Sequence, residues 1–129
     1  MSKEGEDFLW LCKELYFKDI HPLDFEKSDT LEYNKIVELG KQLLLLQGIQ
    51  NFLGYLQESQ YRVYKWAAFL SLEYGKTTST EILELVGNET IIDHCLQVVN
   101  SSEINEMSDE RKANGLKWSE KLKHEKNIL

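Results

Sequence analysis

The chain has one proline in 129 residues, together with two cysteines and seven glycines. So little proline and glycine leaves helices free to run without interruption. Two cysteines, Cys12 and Cys95, are too few for a disulfide framework. They are expected to be reduced thiols, as in a cytoplasmic protein. No apolar run is long enough to cross a bilayer, so no membrane partner is expected. The opening "MSKEGEDFLWLCK" has acids where an export signal has a basic stretch, and export is not expected either. "NET" at Asn88 and "NSS" at Asn100 match the glycosylation pattern, and without export they are chance matches.

Basic charge is scarce as well. The formal net charge is -7, and it is unevenly spread. Residues 1–108 carry 9 Lys or Arg against 18 Asp or Glu, while residues 109–129 carry 6 against 4. Such an acidic body disfavours nucleic-acid phosphate and suits a basic protein partner. Recognisable chemistry is missing too. The sequence has no glycine-rich phosphate loop, no nucleophile elbow and no EF-hand loop. His21, His94 and His124 do not stand at zinc-ligand spacing from one another or from a cysteine. No catalytic residue, metal or cofactor is expected. The pairs Glu81 with Glu84 and Asp19 with Asp24 read as solvated or capping carboxylates.

What remains is rich in Leu, Glu and Lys, which favours helix. "FLWLCKELYF" reads as a short amphipathic helix that ends before Pro22. Asp29 with Glu32 is a plausible capping pair for the next helix. There Tyr33, Ile36, Val37, Gly40, Leu43 and Leu44 form one apolar stripe, and Gly48 is a natural stop. Phe52, Leu53 and Leu56 point inward from a further short helix, and Ser59 can cap the helix after it. Thr78 with Glu81 makes a capping box for "EILELV", which Gly87 ends. After Asn88, residues Ile91, Ile92, Cys95, Leu96 and Val99 form another stripe, and Ser108 can cap the last helix. No stretch alternates long enough for a strand. The expected fold is all-α: one domain over 1–129, a compact bundle of six or seven short antiparallel helices.

The segment "YRVYKWAAFLSLEYG" is apolar almost all round, as a central helix covered on most sides would be. On a helix projection Arg62, Lys65 and Glu73 share a narrow sector with Phe69. Either Phe69 surfaces there beside the two cations, or a terminal helix covers it. Ala67, Ala68 and Ser71 are small enough to let neighbours approach.

"RVYKWAAFLSLEYG", "STEILELVG" and "RKANGLKWSEKLK" together resemble a HEAT-like helical unit. They are similar to small one-domain bacterial HEAT-like proteins, in which an "AA..L..G" helix precedes an "A..L..W" terminal helix. Ala67, Ala68, Leu72 and Gly75 stand in the first pattern, and Ala113, Leu116 and Trp118 in the second. The resemblance covers about half the chain and implies a right-handed helical array that binds macromolecules. Some members look like immunity proteins. The expected function is therefore a non-catalytic module, an immunity or regulatory protein that binds stoichiometrically through an acidic surface. Its expected contacts are Glu26, Asp29, Glu32 and Glu38, with Arg62, Lys65 and Phe69 as a second patch. The alternative is a small helical enzyme or ligand-binding bundle with a pocket lined by Trp10, Trp66, Tyr55 and Tyr64.

Overall fold

A computed structural model describes residues 3–74, 90–101 and 107–125. Among them there is no strand, and the fold is all-helical. Five α-helices are described: α1 (Lys3–Phe17), α2 (Leu31–Phe52), α3 (Val63–Tyr74), α4 (Thr90–Asn100) and α5 (Asp109–Glu125). Short 3-10 turns occupy Phe25–Lys27, Leu53–Gln57 and Gln60–Arg62. The expected capping box at Thr78 and Glu81, the helix "EILELV" and the breakers Gly75, Gly87 and Asn88 lie outside the described residues.

The α2 stripe is the one read from the spacing. Tyr33, Ile36, Val37, Gly40, Leu43 and Leu44 are all buried. The expected stop at Gly48 is a kink, with φ 82° and ψ 158°, beyond which the helix resumes for one turn. That backbone conformation is open to glycine and costly for other residues. The start of α2 differs from the expected Asp29–Glu32 pair. Thr30 is the cap, and its hydroxyl accepts the Tyr33 N–H at 3.4 Å. Asp29 is exposed one residue too early to reach that first turn. Ser59 makes no side-chain cap either, because the backbone turns through left-handed Tyr61 and Arg62 before α3 begins. Ser108 does cap α5, accepting the Arg111 N–H at 3.1 Å.

Helix α3 is the centre. It packs against α1, α2, α4 and the turn at 53–57. Residues 65 to 72 are buried without a break, which is what a helix apolar on nearly every side requires. Ala67, Ala68 and Ser71 bring the neighbours close. The two aromatic clusters flank it. On one side Phe8, Phe52 and Tyr55 meet with centroids 5.1–5.5 Å apart. On the other Tyr33, Trp66, Phe69 and Trp118 form a chain of ring contacts. Phe69 lies 5.1 Å from Trp118 of α5, so a terminal helix covers it. Helix α5 turns Arg111, Gly115, Trp118 and Leu122 inward, while Ala113 and Leu116 face outward. The α4 stripe buries Cys95, Leu96 and Val99.

Candidate functional site

Polar chemistry is concentrated inside the molecule, around the loop at residues 19–24. A buried loop must find partners for its backbone groups, and α2 and α5 supply them. Tyr33 Oη donates to the Pro22 carbonyl at 2.6 Å. Asn114 Nδ2 donates to the Leu23 carbonyl at 2.9 Å. Arg111 donates from Nε and Nη2 to the two oxygens of Asp24, both at 2.8 Å, a bidentate pair. Its Nη2 also reaches the Asp19 carbonyl at 3.0 Å. Arg62 donates to Asp19 Oδ1 at 3.1 Å and lies over the Tyr16 ring. Asp19, Tyr61 and Arg62 all have φ between 54° and 59°, so the backbone is left-handed on both sides of that ion pair.

His21 stands in this cluster with no solvent exposure. Its Nδ1 accepts the Leu23 N–H at 3.0 Å, which assigns the ring proton to Nε2. Nε2 lies 3.5 Å from Lys65 Nζ, and Lys65 donates to the Ser101 carbonyl at 3.0 Å. Burial, then the positive charges of Lys65, Arg111 and Arg62, push the imidazole pKa down to about 2. The ring is therefore neutral. For Asp19, burial alone would raise the pKa, but hydrogen bonds from Arg62 and Arg111 outweigh it and hold the carboxyl below its usual range. These groups are engaged with one another and with backbone. The arrangement ties loop 19–24 to α3 and α5.

Three of the residues expected to form a binding patch belong to this interior. Arg62, Lys65 and Phe69 are 8%, 0% and 2% exposed. Arg62 precedes the helix in a left-handed turn, so the three do not share a helical sector; they face loop 19–24 and α5 rather than solvent. The four carboxylates are placed differently. Glu26, Asp29 and Glu38 are exposed, and Glu38 pairs with Lys41 at 3.5 Å. Glu32 is half-buried and pairs with Lys18 at 3.4 Å. The expected aromatic pocket is not assembled. Trp66 and Tyr55 are buried in the two separate ring clusters, and Trp10 stands on the surface at 68% exposure. Among the described residues no group of His, Cys, Asp and Glu could hold a metal ion. Cys12 and Cys95 are buried and unbridged, and burial raises both thiol pKa values, Cys95 to about 12.

The outward chemistry lies along the exposed side of α1. Trp10, Tyr16 and Phe17 are exposed, and Tyr61 meets Tyr16 and Phe17 at centroid distances of 5.6 and 5.8 Å. Trp10 lies in a groove of about 300 Å³ between α1 and residues 58–63, with Tyr61 on its other wall. Lys18, next after Phe17, binds Glu14 and Glu32 at 3.4 Å each, and so joins this aromatic face to the acidic entrance of α2. The sequence signal was present in "FLWLCKELYF": Trp10 and Phe17 are seven residues apart, on one helix face. Read as an amphipathic helix, the run places Trp10 only in the alternative pocket and does not single out Phe17. No protein-family model, no curated protein and no solved structure matches this chain.

Proposed function

We propose that the protein is a non-catalytic binding module that acts by stoichiometric association with a basic protein partner, in an immunity or regulatory role. The observation that carries the reading is the exposed aromatic face of Trp10, Tyr16 and Phe17 beside exposed carboxylates. Large exposed apolar clusters are uncommon on proteins that bind nothing. Aromatic anchors within a polar rim are how protein interfaces concentrate their binding energy. Glu26, Asp29, Glu32 and Glu38 supply the negative charge that steers the partner, Glu32 being joined to the aromatic face through Lys18. The buried ionic cluster serves the scaffold, and the protein works without turnover in the cytoplasm. The finer architecture belongs to the same proposal. It is a single domain, a HEAT-like right-handed array of six or seven helices similar to small bacterial proteins of that kind. The burial of Ala67, Ala68 and Leu72 on α3 supports that reading.

The test is to immobilise the protein, capture its partner from a lysate of the source cell, and purify both for kinetics. The association rate should fall as salt rises, because the Debye length shrinks from about 10 Å at 0.1 M to about 3 Å at 1 M. An association rate indifferent to salt would refute the acidic-surface reading. Turnover of a small molecule by the purified protein would refute the claim that it is no enzyme.

A further inference from the structure

Both rings that line the α1 groove, Trp10 and Tyr61, already face one cation. Lys13 Nζ lies 5.1 Å from the Trp10 ring centroid and 5.5 Å from that of Tyr61. The Arg62 guanidinium lies 5.1 Å from the Tyr16 ring. An ammonium between two aromatic faces is held by the negative face of each ring. Glu6 and Glu58 line the same groove and add negative charge, while Leu9 and Val63 give it an apolar wall suited to a methylene stem. Lys13 differs from Arg62 in one respect. Arg62 is buried and tied to Asp19, whereas Lys13 enters from the half-exposed side of α1. Trp10 beneath it remains 68% exposed, so one ammonium leaves most of that ring uncovered.

We infer that the groove between Trp10 and Tyr61 is a receptor for a lysine ammonium presented by the partner, and that Lys13 occupies it in the unbound protein as an intramolecular stand-in. The inference rests on the proposed binding role for the source of the lysine, and on the groove alone for its chemistry. Binding then proceeds by exchange: the partner's ammonium takes the place between the rings and Lys13 swings to solvent on its flexible stem. The exchange lowers apparent affinity, because the site is already filled, and it favours a partner that brings further contacts along the aromatic face.

The test uses the full chain and a small probe, the peptide acetyl-Gly-Lys-Gly-amide, followed through the Trp10 indole N–H and the Tyr61 backbone amide by NMR. In Lys13→Met the apolar stem stays and the ammonium goes, so the probe should bind about two- to fivefold more tightly than to the parent, matching the strength of an exposed cation–π contact. Lys35→Met, on the exposed surface of α2, changes net charge equally and should give no gain. The ε-acetylated probe should produce no saturable shift. Trp10→Ala, a change at an exposed residue that leaves the core intact, should abolish the gain made by Lys13→Met. Equal gains from Lys13→Met and Lys35→Met, or equal binding of the acetylated probe, would overturn the inference. If a captured partner binds with salt-dependent kinetics while the probe fails, the ammonium site falls and the binding role stands. If the probe binds as expected while the captured partner's association ignores salt, the ammonium site stands and the acidic-surface reading falls.

Discussion

Gly40 and Leu70 fix how closely α2 and α3 approach. A Cβ on Gly40 would come within 2.6 Å of Leu70 Cδ1, and Leu70 is fully buried, with little room to turn aside. Gly40→Ala gains about 1 kcal/mol of helix propensity but overpacks the contact, so a net loss of about 1–2 kcal/mol is expected in chemical denaturation. Leu70→Ala should cost about 2–5 kcal/mol. The sign should reverse when the two are combined: with the Leu70 side chain gone, the Gly40→Ala methyl occupies part of the cavity and stabilises the double variant relative to Leu70→Ala. Additive losses would show that the two helices do not meet at this pair. His21 provides a second test at this scale. Its folded pKa is about 2, against about 6.5 unfolded, so only the unfolded chain gains a proton as pH falls through 6.5. Stability is therefore full above that value and declines below it. Between pH 7.5 and 5.5 the loss should be about 1.4 kcal/mol. His21→Asn, whose side-chain oxygen can still accept the Leu23 N–H, should be less stable at neutral pH yet nearly flat across that window.

Helix α5 is held by its first turn. Ser108 caps it, and Arg111 grips Asp24 with two hydrogen bonds while both side chains are nearly buried. Removing one member of a buried pair leaves the other charge uncompensated, so Arg111→Met should cost about 3–5 kcal/mol. The 3.3 Å contact from Arg111 to the Asp19 carboxylate adds little, because that carboxylate is 74% exposed. Amide exchange in α5 and loop 19–24 should rise together in the variant; protection lost from α5 alone would mean that the pair does not couple them. Much at this scale was legible in the sequence. The α2 stripe, the Gly48 interruption, the Ser108 cap and the all-round apolar α3 come from local spacing and turn chemistry. The ionic cluster was not legible, because its members stand 43 to 92 residues apart. A helix projection places Arg62, Lys65 and Phe69 in one sector but cannot say what lies opposite. It also treats Arg62 as helical, when its φ is 59° and the helix begins at Val63. For charged side chains the default expectation is solvent, and here the loop at 19–24 supplies the partners that overturn it.

At the scale of the molecule, the proposed binding role would divide the work between charge and aromatic surface. In that role the carboxylates would act at a distance and govern how often partners meet, and the aromatic face would act on contact and govern how long they stay. Reversing Glu32 and Glu38 to Lys should lower the association rate of the captured partner and leave its dissociation rate nearly unchanged. The ion pairs these residues make, Glu32 with Lys18 and Glu38 with Lys41, involve exposed lysines, so losing them should cost the fold less than about 1 kcal/mol. Trp10→Ala and Phe17→Ala should do the opposite. Both residues are 68% exposed, so the fold should tolerate their removal, while dissociation speeds up by about tenfold or more if each is an anchor worth at least 1.4 kcal/mol. Surface plasmon resonance at two salt concentrations separates the two effects. Charge reversal should reduce the salt dependence of association, and the alanine variants should keep it. A partner whose dissociation rate is unmoved by both alanine changes would locate the contact surface elsewhere on the molecule, and a charge reversal that altered only dissociation would place Glu32 and Glu38 inside the interface rather than around it.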